Sequence, residues 1–158
     1  MIRLFSALSV CALALSLSGC GSEARPEPTI KAGGKVSYED GAPVTRVAVV
    51  FQRVGDSTCS AMGRLDDQGN FTLGTYAADD GAPPGKYQVF FTTAPPDNLA
   101  SGQPPKIDPT APPPAIVTPD RVVPPAYLSP DQTPLTFEIS QTGDNQNIKL
   151  SVKRPTAR

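Results

Sequence analysis

The chain has 158 residues, enough for one folded domain, with a formal net charge of -1 and no Lys/Arg run longer than two. That balance excludes the clustered cations that displace counterions from nucleic acid, and the absence of histidine removes the commonest general base and metal ligand. Nineteen prolines, all after residue 25, exclude long helices, because proline lacks the N–H and clashes with the preceding turn.

The first element is a secretory signal. Arg3 supplies a cation, and an apolar run from Leu4 to Gly19 follows, shorter than the roughly 20 residues of a membrane span. Leu17-Ser18-Gly19-Cys20 resembles the lipobox of bacterial lipoproteins. That resemblance implies a diacylglycerol on the Cys20 thiol, cleavage before Cys20 and usually acylation of the new amine. One acyl chain binds marginally at about 0.8 kcal/mol per buried CH₂, whereas two or three hold stably. Residues 1–19 are thus expected to be signal, Cys20 the anchor and residues 20–29 a polar, proline-containing tether. The bland reading is an ordinary signal peptide with a chance cysteine nearby.

From residue 30 the pattern takes a period of two. Strands are expected at Gly34–Tyr38, Thr45–Val54, Thr58–Leu65, Asn70–Gly74, Lys86–Thr93, Leu135–Ile139 and Ile148–Val152. In the second, Val47, Val49 and Phe51 face one way and Ala48 and Val50 the other, as in a central strand. Turn chemistry separates the strands at Glu39–Pro43, Asp66–Asn70, Gly81–Gly85 and Gly143–Asn145. The fold class is all-β: about seven short strands over residues 30–154, as in a two-sheet sandwich, with a four-residue tail at 155–158.

Several residues invite chemistry. Cys59 is the one thiol left after the signal and the anchor, so the mature domain has no internal disulfide; it reads as a buried strand residue, or as a reactive thiol lacking a base. The acids around Asp66 and at Asp79-Asp80 lack the alternating spacing and terminal glutamate of a calcium loop and read as turns.

Three stretches carry a family resemblance: GKVSYEDGAPVTRVAVVFQ, GRLDDQGNFTLGT and DGAPPGKYQVFFT. They resemble the carboxypeptidase regulatory-like domain, which is transthyretin-like. The tail PPAYLSPDQTPLTFEI with IKLSV is similar to its form in small planctomycete-type lipoproteins. The resemblance implies a transthyretin-like or Ig-like sandwich and an accessory module rather than a peptidase. Zinc peptidases use histidine ligands, and transthyretin-like hydrolases use histidine and a C-terminal Tyr-Arg-Gly-Ser where this chain ends KRPTAR.

A proline-rich insertion spans residues 95–133, before the last two strands. Its first part, to about residue 119, is expected to be mobile, and Pro124–Pro134 ordered, with extended or polyproline II backbone in part. It reads as a stiff spacer or a recognition segment. Tyr127 would clip it to the sheet or be an exposed contact.

Together these features give a non-enzymatic, extracytoplasmic module held on a bacterial membrane through Cys20. No cofactor or metal is expected. Its partner would be an unidentified envelope protein or polysaccharide. A carbohydrate-binding module is the alternative, with Tyr38, Tyr76 and Tyr127 as the contacts; a small carboxylate hydrolase using Glu39 or Asp66 is a third class.

Overall fold

The computed structural model describes residues 27–94 and 118–156. Seven strands form: β1 (Gly33–Tyr38), β2 (Val47–Arg53), β3 (Ser60–Arg64), β4 (Asn70–Thr72), β5 (Gly85–Thr93), β6 (Thr136–Ile139) and β7 (Ile148–Val152). They make two sheets, one ordered β4-β1-β7 and the other β3-β2-β5-β6. All neighbours are antiparallel except β1 and β7, which run parallel. The fold is therefore all-β.

The alternation read from the sequence puts one side of each strand into a shared core. Val36, Phe71, Ile148, Leu150 and Val152 enter it from the three-stranded sheet. Val47, Val49, Phe51, Tyr87, Val89 and Phe91 enter it from the four-stranded sheet. Each such side chain contributes about 1.5–3 kcal/mol when withdrawn from water. The two sheets touch through rings, with the Phe51 and Phe71 centroids 5.9 Å apart. In β2 all five residues from Val47 to Phe51 are buried. Ala48 and Val50 lie on the opposite side from the core, where Val50 is flanked by Met62 and Phe90 in register.

The turns expected at Glu39–Pro43 and Asp66–Asn70 form, whereas Ala82, in the turn expected at Gly81–Gly85, makes an antiparallel bridge to Ile30. Asp66 Oδ1 accepts the N–H groups of Gln68 and Asn70, and Asn70 Nδ2 donates to Asp66 Oδ2. Gly69 follows at φ 78°, a left-handed conformation that costs a residue without Cβ little. The β4–β5 loop is built the same way around Asp80, whose carboxylate accepts the N–H groups of Thr75, Tyr76 and Ala77.

Burial works against ionisation of Asp80, but these three N–H donors outweigh it and hold the carboxyl below the usual range. A carboxyl more acidic in the native state than in the unfolded chain contributes fully above its unfolded value, about 3.9, and loses that contribution as pH falls through its native value. Thermal unfolding scanned from pH 6 to pH 2 should thus show a falling midpoint below about pH 4. Asp80→Asn is expected to flatten part of that acid limb. An unchanged slope in the variant would show that the loop carboxylate is not linked to folding.

One local expectation is corrected. Cys59 is not on a strand and is only half-buried: it lies one residue before β3. Asp56 Oδ1 accepts both the N–H and the hydroxyl of Thr58, which keeps the chain in a turn until Ser60 pairs with Gln52. Residues 118–133 are extended in part, at Thr118 and Pro124, and each of these leads into a 3-10 turn, at Pro119–Arg121 and Pro125–Tyr127. Proline at the start of each turn is preset in φ and has no N–H to satisfy there. Gly143–Asn145 lies in the link between the last two strands, as expected, and that link carries the chain from the four-stranded sheet to the three-stranded one. The crossing is fastened by Asn145, 4% exposed, which accepts the Ser140 N–H and donates to the Ser140 carbonyl. Residues 27–29, at the end of the expected tether, form no strand, and Glu27 pairs with Arg53 at 2.7 Å.

Candidate functional site

The residues singled out from the sequence do not converge. Leu17, Ser18, Gly19 and Cys20 lie outside the described residues, as does 95–117 of the proline-rich insertion. Tyr76 is 53% exposed, on the loop that Asp80 organises. Tyr127 is buried within the core, so of its two expected roles the structure gives the clip and not the exposed contact.

Tyr38 is half-buried. Its hydroxyl donates to the Val122 carbonyl at 2.7 Å, tying β1 to the first 3-10 turn. The Arg154 guanidinium lies 4.3 Å from its ring centroid and is itself paired with Asp40. Burial pushes the phenol up, with Arg154 opposing and Asp40 assisting. Tyr38 is therefore a tie with one ring face already taken, and not an open stacking platform.

Cys59 sits beside Tyr87. The Tyr87 ring is fully buried, its hydroxyl donates to the Pro83 carbonyl at 2.7 Å, and burial with the neighbouring thiol pushes the phenol up. Arg53 donates to the Pro84 carbonyl and to Glu27, so this corner binds the start of the domain to the entry of β5. The acids are similarly committed. Asp66 is held below the usual range by Asn70, first through its side chain and then its N–H, and Asp144 by Asn147 and Gln146. Carboxyls held low in this way are ionised at neutral pH, unlike a general acid poised near 7.

A different feature stands out: an open groove of about 350 Å³ across the three-stranded sheet. Strand pairing explains its make-up. Phe71, Ile148 and Leu150 turn into the core, so the residues between them line the outer face. Lys35 on β1 is in register with Asn70 on β4 and with Lys149 on β7. Two residues back, Gly33 is in register with Thr72. It bears no side chain, and a Cβ there would lie 2.7 Å from the Phe71 carbonyl oxygen. Gly33 is buried, and the groove is lined by Lys31, Thr72, Asn147 and the Lys35–Lys149 pair.

The charged residues of its lining are all lysines, while Asp66 and Asp79 line the adjoining hollow that shares Asn70, Phe71 and Thr72. No carboxylate lines the groove. Lys31 Nζ donates to the Asp79 carbonyl at 2.6 Å, and among the described residues Lys35 and Lys149 have no ion-pair or hydrogen-bond partner. Like charges directly opposite on neighbouring strands are destabilising, so the sheet carries an uncompensated pair. The sequence pattern gives no sign of it: Lys35 and Lys149 stand at opposite ends of the domain and become neighbours only through the parallel β1–β7 pairing.

No family model, curated protein or solved structure matches the chain.

Proposed function

We propose that the chain is a lipid-anchored, extracytoplasmic, non-catalytic binding module on a transthyretin-like β-sandwich of the carboxypeptidase regulatory-like type. The anchor rests on Leu17-Ser18-Gly19-Cys20 at the end of an apolar signal. The fold reading rests on seven strands in two sheets around one core, with turns at Glu39–Pro43 and Asp66–Asn70 where the resemblance expects them. The observation that carries the binding role is the lysine-flanked groove on the outer face of the β4-β1-β7 sheet, a preformed surface held by backbone pairing. An envelope polymer suits this groove better than a protein partner, because protein interfaces draw their energy from buried aromatic and Arg anchors. The aromatic-platform version of carbohydrate binding loses support from Tyr38 and Tyr127, whose rings are already engaged.

Cell fractionation with intact-mass measurement tests the anchor. Wild-type chain should sediment with membranes and carry acyl mass on Cys20. The Cys20→Ser chain should wash free without detergent. If Cys20→Ser stays membrane-bound, the anchor reading falls. A cross-linking pull-down from intact cells then reports the partner, and a recurrent protein partner captured through Tyr76, away from the groove, would move the binding role off the three-stranded sheet.

A further inference from the structure

We infer that the groove over β4-β1-β7 is a binding site for an acidic polysaccharide, gripped through the ammonium groups of Lys31, Lys35 and Lys149 with sugar hydroxyls met by Asn70, Thr72 and Asn147. The inference rests on the binding-module reading above and names its ligand class.

Four observations support it. First, the charge is local. The whole chain is at -1, so nothing in its overall field draws a polyanion. Yet three lysines line one groove without a lining carboxylate. Second, the Lys35–Lys149 pair stands across adjacent strands at a cost to the free sheet, and an anion between the two would relieve it. Third, Asn70, Thr72, Gln146 and Asn147 bring carboxamide and hydroxyl groups to the lining; Asn70 and Asn147 already donate to Asp66 and Asp144, and their carboxamide oxygens can accept from sugar hydroxyls. The apolar Phe71 and Ile148 belong to the core, leaving no exposed aromatic for base stacking or for a protein hot spot. Fourth, the shape suits a chain. The groove is open and crosses the three paired strands. Neighbouring strands are about 4.8 Å apart, comparable to the advance of one sugar ring along a chain. Successive uronate carboxylates can therefore meet Lys149 and Lys35 in turn.

The test uses the full chain in non-ionic detergent, so that its outcome does not depend on the anchor. Affinity electrophoresis would be run through gels containing polygalacturonate or neutral dextran at about 0.15 M salt, where the screening length is about 8 Å and diffuse attraction is largely suppressed. The wild-type chain is expected to be retarded by polygalacturonate and not by dextran. Lys35→Gln/Lys149→Gln should weaken that binding at least tenfold, and relief of the like-charge pair should leave its thermal stability equal or higher. Lys86→Gln/Arg121→Gln removes the same charge away from the groove and should change binding less than twofold. Equal losses in the two double variants would overturn the site. So would no retardation of the wild type, or binding to phosphatidylglycerol micelles with none to polygalacturonate. These outcomes are separate from the fractionation of Cys20→Ser: the anchor stands or falls there, and the glycan site here.

Discussion

Phe51→Ala is expected to cost about 3–5 kcal/mol, the largest loss of any single truncation in the domain. Phe51 is fully buried at the middle of β2. Its ring lies 5.9 Å from Phe71 across the sheet interface and 6.2 Å from each of Tyr87 and Phe137. Truncation removes those edge and tilted contacts and opens a cavity between two sheets whose backbones are each fixed by their own ladders, so collapse cannot fill it. Single domains hold only about 5–15 kcal/mol in total. Urea unfolding followed by circular dichroism should therefore show a variant that is partly or wholly unfolded in buffer. Val54→Ala, at a residue 55% exposed, should stay within about 0.5 kcal/mol of wild type. A Phe51→Ala chain with a near wild-type midpoint would mean that the two sheets do not share one core.

Gly34→Val is expected to break the three-stranded sheet. Gly34 is paired with Ile148 in the parallel ladder and with Phe71 in the antiparallel one. A Cβ on Gly34 would stand 1.9 Å from the Ile148 carbonyl oxygen and 2.6 Å from its carbonyl carbon. Those are main-chain atoms, so no side-chain rotation relieves the overlap, and β7 has to move away from β1. A loss of about 3 kcal/mol is expected, the upper end of typical overpacking. Hydrogen exchange gives the sharper reading. Protection should fall in Ile148–Val152 while that of β2 and β5 persists, if the domain stays folded at all. Uniform protection across both sheets would contradict the close β1–β7 approach.

The same two residues mark what a reader of the sequence can and cannot see. Phe51 announces itself: Val47, Val49 and Phe51 alternate, and each strand expected from such alternation forms within two residues of its expected ends. Alternation reports which side of a strand is dry, because that is fixed locally by the pleat. It does not report which strand lies alongside. Gly34 reads as an ordinary weak strand residue, and only the parallel partner 114 positions later makes its missing Cβ essential. The groove lysines were hidden for the same reason. Tyr127 stayed ambiguous because a tyrosine between prolines carries no periodicity; the two 3-10 turns that drive it inward depend on the sheet they pack against. Cys59 misled in the other direction, since its polar neighbours mimic alternation while Asp56 and Thr58 in fact close a turn. The acidic turns were legible in full, because Asp66 and Asn70 act over four residues and need nothing from the remainder of the chain.

The parallel β1–β7 pairing also sets an order of events. The first strand of the domain completes its sheet with the last one, and everything between must be made before they meet. Closing so long a loop is entropically slow, and pairings this distant in sequence lower folding rates. A chain made N-terminus first therefore has one flank of β1 unpaired until Ile148–Val152 are free. Loss of only the C-terminal strand, by a nick or a late stop codon, would leave β1 as an open edge able to capture β7 from another copy.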